Sequence, residues 1–315
     1  VDVARYLFAF LVFPGFVFTG VVGLVSTWVD RKVTARVQWR VGPPLLQPFY
    51  DFVKLLGKET LIPSTASRAV FMAAPLAGLT AVTLVSTILW LANLTGLSFV
   101  GDLIVVVYLL IVPSLAIMIG GMASGNPLAS TGASREMKLI LSYELPFLIC
   151  LAVVILKNGF SLRLGDLAQG GARAPVGSIS GAVAAVIALL CVQAKLGFTP
   201  FDVAEAETEI MGGPYIEYSG VSLGVFRLTQ AMMLFSLPVF LITVFLGGIH
   251  LSGWGILWAI LKFVAILVLI IVIKNTNPRV RIDQAVSFFW VYLTPVAAGA
   301  FVLAVLGRVF GIPWL

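Results

Sequence analysis

A single histidine and two cysteines are all that this chain offers a metal or a haem. His250 stands alone in GGIHLSG, so paired-histidine ligation of a haem is excluded. Cys150 and Cys191 lie within apolar stretches. Two thiols are too few for an iron–sulfur cluster and are poorly placed for zinc, which leaves them as small packing residues. No Walker loop occurs, and no GxGxxG links a strand to a helix, so no nucleotide site is expected. The chain is expected to hold no cofactor, no metal and no catalytic residue of its own. Redox chemistry would belong to a partner.

Charge is scarce too: 11% of residues are charged against 60% hydrophobic, and the mean hydropathy is +1.08. That balance lies outside the soluble globular range. Eight apolar stretches, near 3–29, 70–93, 103–122, 139–156, 177–194, 219–246, 255–273 and 286–310, match the roughly twenty residues that cross a hydrocarbon core of about 30 Å. Little is left for a soluble domain. The expectation is an all-α, polytopic bundle of eight transmembrane helices over 1–315, with every backbone group in the bilayer paired internally. The first stretch is too long for a signal peptide, has no basic lead, and reads as a retained helix.

Thirteen of the twenty lysines and arginines fall in 30–69, 123–138, 195–218 and 274–284. The opposite side has Arg5, Lys157, Arg163, Arg173 and Arg308. The positive-inside rule puts the first set in the cytoplasm and both termini outside. The net charge of +6 then reflects topology, and no nucleic-acid surface is expected. Pro14-Gly15, Pro113, Pro238 and Pro295 interrupt spans, either as plain kinks or as breaks lining a hydrated path. No internal repeat is evident, which weighs against an inverted-repeat transporter.

Three loops on the basic side carry the remaining information. In 30–69 a basic helix turns at Gly42-Pro43-Pro44, and Leu46, Phe49, Phe52, Val53 and Leu56 then recur at helical steps. This predicts a helix lying in the interface, either anchoring to lipid headgroups or docking a peripheral partner. Arg36, Arg40, Gln47, Asp51, Lys54, Lys58 and Glu59 are the candidate docking residues. In the second loop and the span after it, Glu144 stands at membrane depth, where an ionisable group is a functional candidate. The alternative is a helix-end carboxylate paired with Arg135 or Lys138. Tyr143 is placed to hydrogen-bond it.

The third loop, PFDVAEAETEIMGGPYIEYSG, concentrates Asp202, Glu205, Glu207, Glu209 and Glu217, five of fourteen acids. Were 202–211 helical, Asp202, Glu205 and Glu209 would share one face, either solvated or lining a polar cavity. Crowded carboxylates beside a bilayer resist ionisation, which suits them to handling protons or ions. Arg227 and Lys262 fall inside spans; either snorkels, or Arg227 neutralises an acid, Glu217 or Glu144 being the expected partner.

These pieces together resemble the complex I membrane subunit, of the H type, that closes the quinone chamber and begins the proton path. The matching runs are RVGP at 40–43, LLQPFYDFVKLLGKE at 45–59, SYELP at 142–146, PFDVAEAETE at 200–209 and EYSG at 217–220. Their order covers nearly the whole chain. Three departures stand out: no insertion follows RVGP, AKLGFT replaces an arginine and polar residues before PFD, and Thr229-Gln230-Ala231 stands where an acid–tyrosine pair is common. They make the chain similar to the membrane-anchor M subunit of energy-converting hydrogenases and of the related archaeal sulfane reductase.

The resemblance implies a peripheral module with iron–sulfur clusters and a nickel–iron or related centre in a hydrogenase-like large subunit, docked on 30–69 and 195–218. It also implies antiporter-like and small membrane subunits as neighbours. Glu144, Asp202, Glu205, Glu207, Glu209, Glu217 and Arg227 would relay protonation toward them. The shortened segment after Pro43 argues against a quinone, which Tyr143 and 40–50 would otherwise line. Two competing readings are a quinone-binding dehydrogenase subunit and a self-contained secondary ion transporter. A third is a structural anchor whose acids only bind partner lysines.

Overall fold

The computed structural model describes residues 2–169, 174–250, 253–312 and 314–315; Arg173, counted above with the outer charges, lies outside them. Among the described residues there is no strand. The helices are α1 (Asp2–Leu11), α2 (Phe16–Val37), α3 (Gln47–Leu56), α4 (Arg68–Thr95), α5 (Asp102–Leu109), α6 (Val112–Ala123), α7 (Pro127–Lys157), α8 (Leu164–Gln169), α9 (Ile179–Lys195), α10 (Glu207–Ile210), α11 (Gly220–Phe245), α12 (Gly255–Thr276), α13 (Ile282–Ser287) and α14 (Thr294–Val309).

Among the described residues seven membrane-length apolar spans result, with α1–α2, α5–α6 and α13–α14 each forming one interrupted rod. The eighth expected span is α9, whose 17 residues rise about 26 Å. The breaks are locally satisfied: at the first, Thr19 and Ser86 hydroxyls both donate to the Pro14 carbonyl, at 3.1 and 3.4 Å. Pro295 follows a π-helical turn over Phe288–Leu293, where the Thr294 hydroxyl donates to Phe289 O at 2.8 Å. Pro238 sits inside the unbroken helix α11.

α11 is the axis of the bundle. Its apolar window is 94% buried, against 17% for α12, and it packs on α2, α3 and α4 while α7 packs on α6, α9 and α14. Close approach of α2 is possible because Gly23 faces the Ala231 carbonyl, where a Cβ would come within 2.6 Å. α3 lies along the start of α11 with Pro48 buried and Leu55 against Gly224. The predicted stripe is therefore divided: Phe49 and Phe52 pack inward, while Leu46, Val53 and Leu56 stay exposed. The inward face is rotated toward Pro48 and Leu55, because those positions meet the helix surface opened by Gly224.

Candidate functional site

The loop-rich end of the bundle gathers the charges. The acidic loop folds as an irregular segment in which 202–211 is helical only over Glu207–Ile210 and a 3-10 turn follows at Gly213–Tyr215, so the face that a helix over 202–211 would give Asp202, Glu205 and Glu209 does not form. Gly212, Gly213 and Pro214 turn the chain back onto α7. Gly213 has φ +54°, and a Cβ there would overlap the Ala204 carbonyl. Only glycine fits that crossing.

Four of the five acids are held, among the described residues, from three separate parts of the bundle: the approach to α13, α11 and the start of α7. Asp202 accepts from Arg279 at 2.5 Å. Glu205 accepts from Gln230 at 2.8 Å and has the Arg227 guanidinium 3.9 Å away. Arg227, expected to face Glu217 or Glu144, therefore partners Glu205. It also bonds the Gln230 side-chain oxygen at 3.0 Å and lies over the Tyr215 ring. Glu209, exposed, pairs with Arg135 at 2.6 Å; Glu207 is exposed; Glu217 accepts from Asn126 at 2.6 Å. Burial pushes the Glu205 carboxyl above the usual range while Arg227 pulls against it. Asp202 is raised as well, by burial opposed by Arg279.

Glu144 is bound by neither Arg135 nor Lys138. Its carboxylate accepts from Lys195, the last residue of α9, at 2.7 Å, and the lysine side chain is fully buried. The ammonium also sits 4.9 Å from the Tyr143 ring and 5.0 Å from the Phe147 ring. The Tyr143 hydroxyl, expected to serve Glu144, has no hydrogen-bond partner among the described residues, and neither has Glu144 Oε1. Buried polar atoms of this kind mark places where water or a moving proton can be received.

Sequence reasoning misses Glu136. It is 7% exposed, on α7 at four and eight residues before Ile140 and Glu144, so a helical stripe links the three. That spacing is readable, but the flanking Arg135 and Lys138 make this turn look like a solvated helix start. Glu136, Lys195, Asp202, Glu205, Tyr215 and Gln230 enclose a narrow cavity of about 40 Å³, room for a few waters at most.

A second cavity, about 360 Å³, lies between α2, α3 and α11, and Gln230 and Leu196 form part of the wall of both. Of residues 40–50 only Pro48 lines it, and Tyr143 does not. Its polar lining is Thr27, Asp30, Arg31, Asp51, Arg227 and Gln230. Asp51 is held by Arg31 at 2.6 Å and by Gln47 at 3.0 Å, and that Arg31 contact keeps its carboxyl below the ordinary value. The Arg31 pair fastens α3 to α2, while Gln47 steadies the carboxylate from within α3. Arg36, Arg40, Lys54, Lys58 and Glu59 lie outside the core at the same end, where Trp39 is 98% exposed. Lys262, at the far end, donates to the Leu246 and Gly248 carbonyls at 2.8 and 3.3 Å.

Fold and site define a class: a polytopic helix bundle that keeps paired ionisable groups inside one end. The sequence matches the family described as NADH dehydrogenase over residues 9–305. It is similar to the H subunit of the NADH-quinone oxidoreductase of Thermomicrobium roseum, 34% identical and covering 99% of both chains. The corresponding chain of Geobacillus kaustophilus is 34% identical over 85% of this chain and 84% of its own. A solved structure superposes with TM-score 0.86 and 30% identity, over 96% of this chain and 99% of that one: the membrane-bound sulfane sulfur reductase, an archaeal respiratory membrane complex. The chain belongs to the NADH dehydrogenase family, as a membrane subunit of the complex I H type.

Proposed function

We propose that this chain is the membrane-anchor and coupling subunit of a complex I-like oxidoreductase of the hydrogenase or sulfane reductase kind. It links electron transfer in a peripheral iron–sulfur module to translocation of protons or sodium. The observation that carries this reading is the gathering of Glu205, Glu136 and Lys195 on the lining of one small cavity, with Arg227 and Gln230 beside Glu205 and with Glu144 bound to Lys195. Such groups inside a membrane protein exchange protons readily, since one pKa unit corresponds to about 1.4 kcal/mol. A charge appearing in a docked partner at Arg36, Arg40, Lys54 or Lys58 is enough to bias them. The chain would bring no cofactor of its own, and antiporter-like subunits would receive the protonation change.

The test is turnover-coupled ion uptake by the intact complex in proteoliposomes. Glu144→Gln and Glu205→Gln should assemble but lose coupled translocation, whereas Glu209→Gln, whose partner pair is at the surface, should keep it. Normal uptake in either of the two buried variants would refute the relay.

A second reading is favoured by the 360 Å³ cavity, which is within the size range of small-molecule sites. There the chain would bind a quinone, with Phe52, Leu55 and Leu234 against the ring. Inhibition by quinone analogues, relieved by Leu55→Trp or Phe52→Ala, would select this reading.

A further inference from the structure

Lys195 has a second place to go. Its ammonium carries three donors, yet it makes one hydrogen bond, to Glu144, with aromatic faces filling the rest of its surroundings. On the cavity that Lys195 lines stands another buried carboxyl, Glu136, with no basic side chain bonded to it among the described residues. The two acids are eight residues apart on one stripe of α7, about 12 Å along its axis, and a lysine stem is long and freely rotatable. Lys195 ends α9, and Gly197 two residues on adopts φ +63°, so the chain is not helical beyond it. Asp202, Glu205 and Tyr215 face the same cavity from the loop, and Gln230 from α11.

From these placements we infer that Lys195 is a two-position charge carrier, bound alternately to Glu144 and Glu136. One buried cation can hold only one of the two acids ionised. In the arrangement described, Glu144 is the carboxylate and Glu136 the acid. When the Glu136 carboxyl gives its proton to Glu144, which lies on the other side of Lys195 from the cavity, the Glu144 ion pair breaks, and the ammonium, keeping all its hydrogens, crosses to the new carboxylate. Total charge is unchanged, and one proton has moved two helical turns deeper. This inference rests on the relay proposed above and names Lys195 as its positioning residue.

The experiment uses the intact complex with Lys195→Met, Lys195→Arg, Glu136→Gln and Glu144→Gln, reading coupled uptake and the infrared C=O band of protonated carboxyls at rest. Lys195→Met should gain a carboxylic-acid band that the Lys195→Met/Glu144→Gln double variant lacks. Its uptake should fall about tenfold or more, the equivalent of one pKa unit or above. Lys195→Arg should assemble and add no such band, yet fail to restore uptake, because a planar guanidinium grips a carboxylate in a fork and does not let go. A purely structural ion pair would be rescued by arginine. Normal uptake in Lys195→Arg, with Glu144→Gln inactive, would overturn the switch alone and leave the relay standing; normal uptake in Glu136→Gln would overturn the switch and take Glu136 out of the relay. Normal uptake in Glu144→Gln would remove both. If Lys195→Met does not assemble, the arginine and Glu136→Gln variants still decide the matter.

Discussion

Glu205 shows at one side chain how burial and charge oppose each other. Its raised carboxyl means that the folded protein holds the proton more tightly than the unfolded chain does. The stability this contributes is complete below the ordinary glutamate value of 4.5 and is lost as pH rises through the higher folded value. Glu205→Gln has no such loss. The melting temperature of the variant, relative to the parent, should therefore climb as pH is raised from 4.5, measured by thermal unfolding of the detergent-solubilised complex. A flat difference would contradict the assignment. Arg227 is half exposed and stays hydrated when its partner is neutralised, so the lost pair costs about 1 kcal/mol or less. Why the sequence points to the acids but not to their partners follows from the same residues. Arg279 and Asp202, Arg135 and Glu209, and Lys195 and Glu144 are separated by 77, 74 and 51 positions, and no periodicity connects them. Glu136 alone is legible, at helical spacing from Glu144, and its charged neighbours conceal it.

At the level of elements, hydropathy locates every span because bilayer thickness leaves so few alternatives. Loops carry no such constraint, and 202–211 is helical only over Glu207–Ile210: the backbone before it leaves helical geometry, with Asp202 on Arg279 at α13's approach and Glu205 on α11. The joint between the 57–62 segment and α11 can be tested directly. Leu61 N donates to the Ser219 hydroxyl at 2.9 Å and Val221 N to Thr60 at 3.1 Å. Gly220 has φ +54°, with a Cβ position 2.5 Å from the Glu59 carbonyl. Gly220→Ala should cost about 1–2 kcal/mol from backbone strain, with more from the clash. Hydrogen exchange at the Leu61 and Val221 amides should accelerate while exchange in α7 stays unchanged. Protection retained at both amides would show that the joint tolerates a side chain.

For the whole molecule, the lopsided distribution of lysine and arginine yields a sidedness that can be measured. Lys54→Cys and His250→Cys place thiols at exposed positions at opposite ends, while Cys150 and Cys191 are buried. Membrane-impermeant labelling should reach Lys54→Cys only from the cytoplasmic face and His250→Cys only from outside. Labelling of both from one side would reverse the topology.

The contrast between α11 and α12 bears on how freely this subunit can change over time. α11 is enclosed along nearly its whole apolar length, so each of its turns answers to a neighbouring helix, and a change at one site asks for a matching change elsewhere. α12 buries fully only Ala259, Leu267, Ile270 and Ile271. Elsewhere along that helix many apolar side chains would serve equally well. The sequence is thus free to drift at the rim, where the lipid or a neighbouring subunit is met, and tethered at the axis, where Gln230 and Arg227 stand.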